Sequence, residues 1–122
     1  MIGIGIVGAK GRMGRAIAAV LEEDERARIA GGADQGDDVA ALAASCDVLI
    51  DFSSPAGLAE ALAAAESAGR PVVIGTTGLT DDHQAAIDRA AARIPVLQAF
   101  NMSLGVNLLA HLVREAAARL GP

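Results

Sequence analysis

Ile2-Gly3-Ile4-Gly5-Ile6-Val7-Gly8-Ala9-Lys10-Gly11-Arg12-Met13-Gly14 is the stretch that decides the fold of this 122-residue chain. The β-branched run Ile2–Val7 reads as a buried strand. Three glycines then recur at every third position, and an Ala-rich helical stretch follows at once from Arg12. A strand turned directly into a helix by glycines has a specific physical use. Gly8 permits the tight turn, Gly11 lets backbone N–H groups approach a diphosphate, and Gly14 allows the helix to pack closely on the strand. The diphosphate then lies on the positive end of the helix dipole. The spacing is G-x-x-G-x-x-G rather than G-x-G-x-x-G, with Lys10 where a second glycine is common. Lys10, Arg12 and Arg15 concentrate positive charge at the same loop, which reads as an anion site. A structural glycine turn with ordinary surface cations is the plain alternative, disfavoured by the strand before it and the helix after it.

Outward from this loop, short β-branched runs alternate with Ala-rich stretches. Strands are expected near Ile2–Val7, Arg28–Gly32, Asp47–Asp51, Pro71–Ile74 and Pro95–Gln98. Helices are expected near Arg12–Glu23, Val39–Ala44, Pro55–Ala68, Asp81–Arg93 and Leu104–Leu120. Ser54 precedes Pro55 as an N-cap before a first-turn proline. Gly69 stands where a left-handed C-terminal residue is wanted. Thr80 caps a helix that opens on Asp81 and Asp82. Ser103 caps the last helix, where Leu108, Leu109, Leu112, Val113, Ala116 and Leu120 make one apolar face, and Gly121-Pro122 reads as its terminator. The β-α-β-α order predicts a Rossmann-type α/β domain: one doubly wound parallel sheet with helices on both faces, built as a single unit over residues 1–122.

Composition agrees. Just over half the residues are apolar, yet there are only two Phe and no Tyr or Trp. The core is therefore aliphatic, as suits a parallel sheet covered by helices. The net charge of −5 argues against general affinity for nucleic acid or an anionic membrane surface. The single cysteine, Cys46, has no partner for an internal disulfide, which points to a reducing compartment. Met1 leads straight into the first strand without a basic leader, and no apolar run reaches membrane-spanning length. The expected setting is the cytoplasm.

Asp34 lies just past the second strand, at the separation from the glycine loop expected of an acid that binds an adenosine ribose. Its carboxylate would accept from both ribose hydroxyls and repel a 2′-phosphate. Gln35 and Gly36 supply no arginine for that phosphate. The reading leans to NAD(H), with NADP(H) left open through Lys10 or Arg12. A turn residue in Ala33-Asp34-Gln35-Gly36 is the competing account of the acid.

Four segments now occur in order: Gly8-Ala9-Lys10-Gly11-Arg12-Met13-Gly14, Asp47-Val48-Leu49-Ile50-Asp51-Phe52-Ser53-Ser54-Pro55, Gly75-Thr76-Thr77-Gly78 and Asn101-Met102-Ser103-Leu104-Gly105-Val106-Asn107. Together they resemble the N-terminal half of 4-hydroxy-tetrahydrodipicolinate reductase (dihydrodipicolinate reductase), of the lysine/diaminopimelate pathway. The resemblance covers essentially the whole chain. It implies a cofactor site made of Gly8, Ala9, Lys10, Gly11, Arg12, Met13, Asp34, Gly75, Thr76, Thr77, Ala99, Phe100, Asn101 and Met102. The hydroxyls of Thr76 and Thr77 and the amide of Asn101 are expected to orient the carboxamide and ribose, with turn and capping chemistry as their alternative. These loops leave the C-terminal ends of parallel strands, where open α/β sheets bind ligands.

The resemblance also implies reduction of a cyclic imine dicarboxylate by NAD(P)H. Two departures qualify it. The stretch Asp34–Cys46 is compact where many members carry an insertion. The family's second domain, which carries a paired-histidine-and-lysine segment and a Gly-Thr anion loop and builds a tetramer, is not in this sequence. His83 and His111 fall on helices and read as surface or packing residues. No catalytic or metal-ligating residue is assigned. The isolated chain is expected to bind cofactor with negligible turnover, as a monomer or weak dimer. Asn101–Gly105 resembles the interdomain hinge, and apolar area on the last helix is expected to be exposed. Two other readings keep the fold. One is the Rossmann half of an aspartate or homoserine dehydrogenase-like enzyme, which the Gly75–Gly78 and Asn101–Asn107 segments argue against. The other is a short, non-catalytic dinucleotide-binding or redox-sensing module.

Overall fold

The computed structural model describes residues 1–121. Five parallel strands form one sheet in the order β2-β1-β3-β4-β5. They are β1 (Ile2–Val7), β2 (Ala27–Ala33), β3 (Val48–Asp51), β4 (Val72–Ile74) and β5 (Val96–Gln98). Helices α1 (Arg12–Glu22), α2 (Val39–Ser45), α3 (Pro55–Ala68) and α4 (Asp81–Ala91) alternate with them, and α5 (Leu104–Leu120) comes last. The chain steps from β1 outward to β2, then returns past β1 to β3. With right-handed crossovers this reversal puts α1 on one face of the sheet and α2, α3 and α4 on the other. The reversal beside β1 is where such sheets open a ligand crevice at their C-terminal edge.

Most boundaries fall where the sequence places them, and the differences have local causes. Pro71 and Pro95 lack an N–H and stay outside β4 and β5. Their carbonyls still accept from Leu49 N (3.0 Å) and Val72 N (3.1 Å). Asp47 precedes β3 because its carboxylate takes Gly3 N at 2.7 Å. The α4 helix ends at Ala91, since Ala92 and Arg93 donate three residues back, to Arg89 O and Ala90 O. β2 is longer than expected and carries a bulge: Ile4 pairs with Ile29, but Gly5 pairs with Gly31.

The caps behave as the sequence suggests. Ser54 accepts from Gly57 N, Gly69 closes α3 with φ 65°, and Ser103 accepts from Val106 N. Thr80 joins His83 in a capping box, so His83 is a structural partner of the α4 N-terminus. Gly121 follows α5 with φ 74°; Pro122, expected to complete the terminator, lies outside the described residues.

The aliphatic core sits on the α2–α3–α4 side, where Leu49, Leu58, Ala61, Ala65, Val72 and Ile74 are fully buried. The register places Ile6, Ile50, Val73 and Leu97 on the opposite face. That face closes over Ile6 near α1 but opens toward β5, where Leu97 is 62% exposed. Helices thus cover the two faces unevenly. The α5 helix buries no residue, and its expected apolar face, including Leu108, Leu109, Leu112 and Val113, is exposed.

Candidate functional site

The glycine loop is shaped by close backbone approach. Gly8 has φ 85°, and a Cβ there would run into the carbonyl of Phe52 after β3. A Cβ on Gly14 would meet Ala9 Cα at 2.7 Å as well as the Gly8 carbonyl. Gly11 differs, because its Cβ would meet only Gly8 O, at 3.2 Å. Protein packing therefore demands glycine at 8 and 14 but leaves open space beside 11.

That space adjoins the start of α1. The first helical bond closes from Arg15 N to Gly11 O at 3.0 Å, so the N–H groups of Arg12 and Met13 precede it. The helices α2, α3, α4 and α5 each have a side-chain N-cap, from Asp38, Ser54, Thr80 and Ser103. The α1 helix has none, and no acid lies in its first turn. Lys10, Arg12 and Arg15 surround this uncapped end, are all exposed, and take part in no ion pair among the described residues.

Gly32 of β2 lets the loop settle over the strand, where a Cβ would collide with Ala9 Cβ at 2.6 Å. This brings Asp34 to the loop: Lys10 N donates to its Oδ1 at 3.1 Å, while Asp34 N donates to Asp37 at 2.8 Å. The Lys10 N–H is thus turned toward Asp34. A cleft of about 400 Å³ opens here, between Gly8, Gly11 and Asp34 on one side and Phe52, Ser53 and Ser54 on the other. Val39, Gly57 and Glu60 complete its walls. The Phe52–Ser54 segment, in the sequence only part of a family motif, thus belongs to the site. The strand-end rule that selected Asp34 applies equally to it, since it leaves the C-terminal end of β3. Gly57 and Glu60, three residues apart on α3, share one face, and Ser53 joins them at the cleft from the loop before the helix.

The loops after β4 and β5 do not line this cleft. Gly75 packs beneath the Phe52 ring, where a Cβ would overlap it. Thr76 is buried, and its hydroxyl donates to Asp51 Oδ2 at 2.7 Å while accepting Ser53 N at 3.0 Å. The expected presentation of the Thr76 hydroxyl to a ligand is therefore corrected: it is spent inside the protein. Thr77 is exposed beside it. Asn101 Oδ1 accepts from Ser103 N at 2.8 Å, so its amide oxygen builds the turn into α5. Asn107 Nδ2 ties the same turn through Asn101 O at 2.8 Å and Ser103 O at 2.9 Å. Ala99 continues the ladder by donating to Ile74 O at 3.1 Å, whereas Phe100 and Met102 are exposed.

Asp51 is the buried acid of this region, with no exposed surface. Burial pushes its carboxyl above the usual range, opposed by hydrogen bonds from Ser53 and Thr76. Burial likewise raises the Cys46 thiol. No cluster of metal-ligating side chains occurs among the described residues, and no helix among them is long and apolar enough to cross a membrane.

A parallel sheet reversing beside β1, with a glycine turn into an uncapped helix and an acid at the end of β2, defines a Rossmann-type domain. A sequence-family profile described as "Dihydrodipicolinate reductase, N-terminus" matches residues 2–102. The chain belongs to that family. A 4-hydroxy-tetrahydrodipicolinate reductase of Zymomonas mobilis is 49% identical over 97% of this chain and 49% of its own length. One from Campylobacter lari is 46% identical over 98% of this chain and 50% of its own. The chain thus spans about half the length of the curated relatives it matches. The fold aligns with a dipicolinate-bound dihydrodipicolinate reductase from Paenisporosarcina sp. TG-14 at a TM-score of 0.83 and 23% identity, over 97% of this chain and 54% of that one. An NADP-bound Plasmodium falciparum pyrroline carboxylate reductase shares the fold more distantly, at a TM-score of 0.52 and 16% identity over 80% of this chain and 41% of that one.

Proposed function

We propose that this chain is the nicotinamide-dinucleotide-binding half of a 4-hydroxy-tetrahydrodipicolinate reductase. The observation that carries the reading is the α1 N-terminus, which alone among the five described helices lacks a side-chain cap and faces the glycine loop. A diphosphate satisfies those N–H groups and gains from the dipole and the neighbouring cations. Gly8–Met13 hold the diphosphate, Asp34 holds the adenosine ribose, and the loops at Gly75–Thr77 and Ala99–Met102 border the nicotinamide end.

Bound dinucleotide supplies a hydride for reduction of a cyclic imine dicarboxylate; the chain binds, orients and shields it. Neither histidine lines the cleft. Nδ1 of His83 is committed to Thr80, by a 3.1 Å bond from its N–H, and His111 is exposed on α5. Substrate binding and proton delivery belong to a second domain, for which the relatives have the additional length. The 122 residues alone bind cofactor with negligible turnover, as a monomer or weak dimer, and a stable tetramer by light scattering contradicts this.

Asp34 at the loop favours NAD(H), because its carboxylate repels a 2′-phosphate. Fluorescence titration with NADH and NADPH tests both points. Saturable NADH binding supports the reading, and NADPH binding tighter by more than about tenfold, roughly 1.4 kcal/mol, overturns the preference.

A further inference from the structure

Asp51 lies at the end of β3, without exposed surface and without an ion-pair partner among the described residues. Burying a carboxylate is costly, and an apolar residue would fill the space more cheaply were packing its only role. Its two oxygens are both used. Ser53 Oγ donates to Oδ1 at 2.5 Å and Thr76 Oγ1 donates to Oδ2 at 2.7 Å. Thr76 Oγ1 in turn accepts Ser53 N at 3.0 Å, and Gly75 N donates to Asp51 O at 2.9 Å. Two loops from neighbouring strands are thereby knotted around one residue.

We propose that Asp51 is a positioning residue that locks the loop after β3 to the loop after β4 and so presets Gly75–Gly78 for the nicotinamide half of the dinucleotide. The proposal rests on the dinucleotide reading above. A carboxylate is needed because it accepts at both ends. Each hydroxyl must then point its single proton inward, which leaves the Thr76 oxygen free to take the Ser53 N–H. An asparagine accepts at one end only and donates at the other, reversing one of the two bonds.

The test compares NADH with ADP-ribose, which lacks the nicotinamide, on the wild-type chain and on Asp51→Asn, Thr76→Val and Thr76→Ser. Loss of one oriented hydrogen bond is expected to weaken NADH about five- to tenfold in Asp51→Asn and Thr76→Val. ADP-ribose should change less than about twofold in both, and Thr76→Ser should restore wild-type values for both ligands. General loosening of the fold would weaken the two ligands alike. Where Asp51→Asn does not fold, the Thr76→Val and Thr76→Ser pair carries the same comparison. Equal losses for both ligands, or wild-type NADH affinity in Thr76→Val, overturn the proposal. A wild-type chain that binds neither ligand overturns the dinucleotide reading and this proposal with it, whereas wild-type binding with insensitive variants overturns this proposal alone.

Discussion

Replacing Gly14 by alanine separates the account of the glycine loop from a generic turn. An added Cβ meets Ala9 Cα at 2.7 Å, whereas ordinary contact begins near 3.4 Å. The obstacle is backbone, with the Gly8 carbonyl nearer still, so the start of α1 must recede by at least roughly 0.7 Å rather than a side chain swinging away. Overpacking of this kind costs about 1–3 kcal/mol, and alanine returns at most about 1 kcal/mol of helix propensity. The net loss is up to about 3 kcal/mol, or a fall in Tm of up to about 12 °C for a domain of this size. Binding suffers separately. A charge-assisted bond of about 2.8 Å stretched by that distance leaves hydrogen-bonding range. Losing one such bond, worth about 1.5–3 kcal/mol, raises the NADH Kd about ten- to a hundredfold. Gly11→Ala is the paired control, because its Cβ meets only Gly8 O at 3.2 Å. It should cost less than about 1 kcal/mol of stability, the loss of a tolerated N-cap glycine, while still blocking the approach of the diphosphate. Thermal melts and NADH titrations on both variants read the two effects apart. Gly14→Ala with unchanged Tm and unchanged NADH affinity would refute the reasoning.

Further outcomes follow from the same geometry. Cys46, 2% exposed and with its thiol pushed up by burial, should resist thiol reagents in native buffer and react fully in denaturant; rapid native labelling contradicts this. Thr80→Ala removes the hydroxyl half of the α4 capping box, leaving the bond from the residue-80 N–H to His83 Nδ1, and should cost about 1 kcal/mol in urea denaturation, with NADH binding unchanged. Asp51 binds its proton more tightly folded than unfolded, so above the unfolded carboxylate value its contribution falls as pH rises toward the folded value. The stability of wild type relative to Asp51→Asn should therefore decline upward from about pH 4, and a flat difference contradicts the burial. Asp34→Asn should narrow the preference for NADH over NADPH in paired titrations; an unchanged ratio removes Asp34 from the ribose site.

The fold was legible because its signals are local. The Ile2–Val7 run, the caps at Ser54, Thr80 and Ser103, and Gly69 each act within a few residues. Glycine spacing also marked positions 8 and 14 correctly as sites of close approach. Side-chain direction was less legible. Thr76 and Asn101 were expected to face a ligand, yet one hydroxyl turns inward to Asp51 and one amide oxygen closes a turn. Hydroxyl and amide groups satisfy whichever partner the tertiary fold brings near, and sequence does not encode that choice locally. Phe52–Ser54 became part of the cleft only when register set β3 beside β1. The α5 face shows the reverse: its apolar period is plain in the sequence, but periodicity does not say what covers it.

The central claim is that a dinucleotide seats its diphosphate on the uncapped start of α1. Backbone amide spectra of the ¹⁵N-labelled chain, recorded during titration with NADH, test it most directly. The largest shifts should fall on Gly8, Gly11, Arg12 and Met13, followed by Asp34, with the α4 N-terminus unmoved. Shifts that leave the Gly8–Gly14 loop unchanged, or no shifts at millimolar NADH, contradict it.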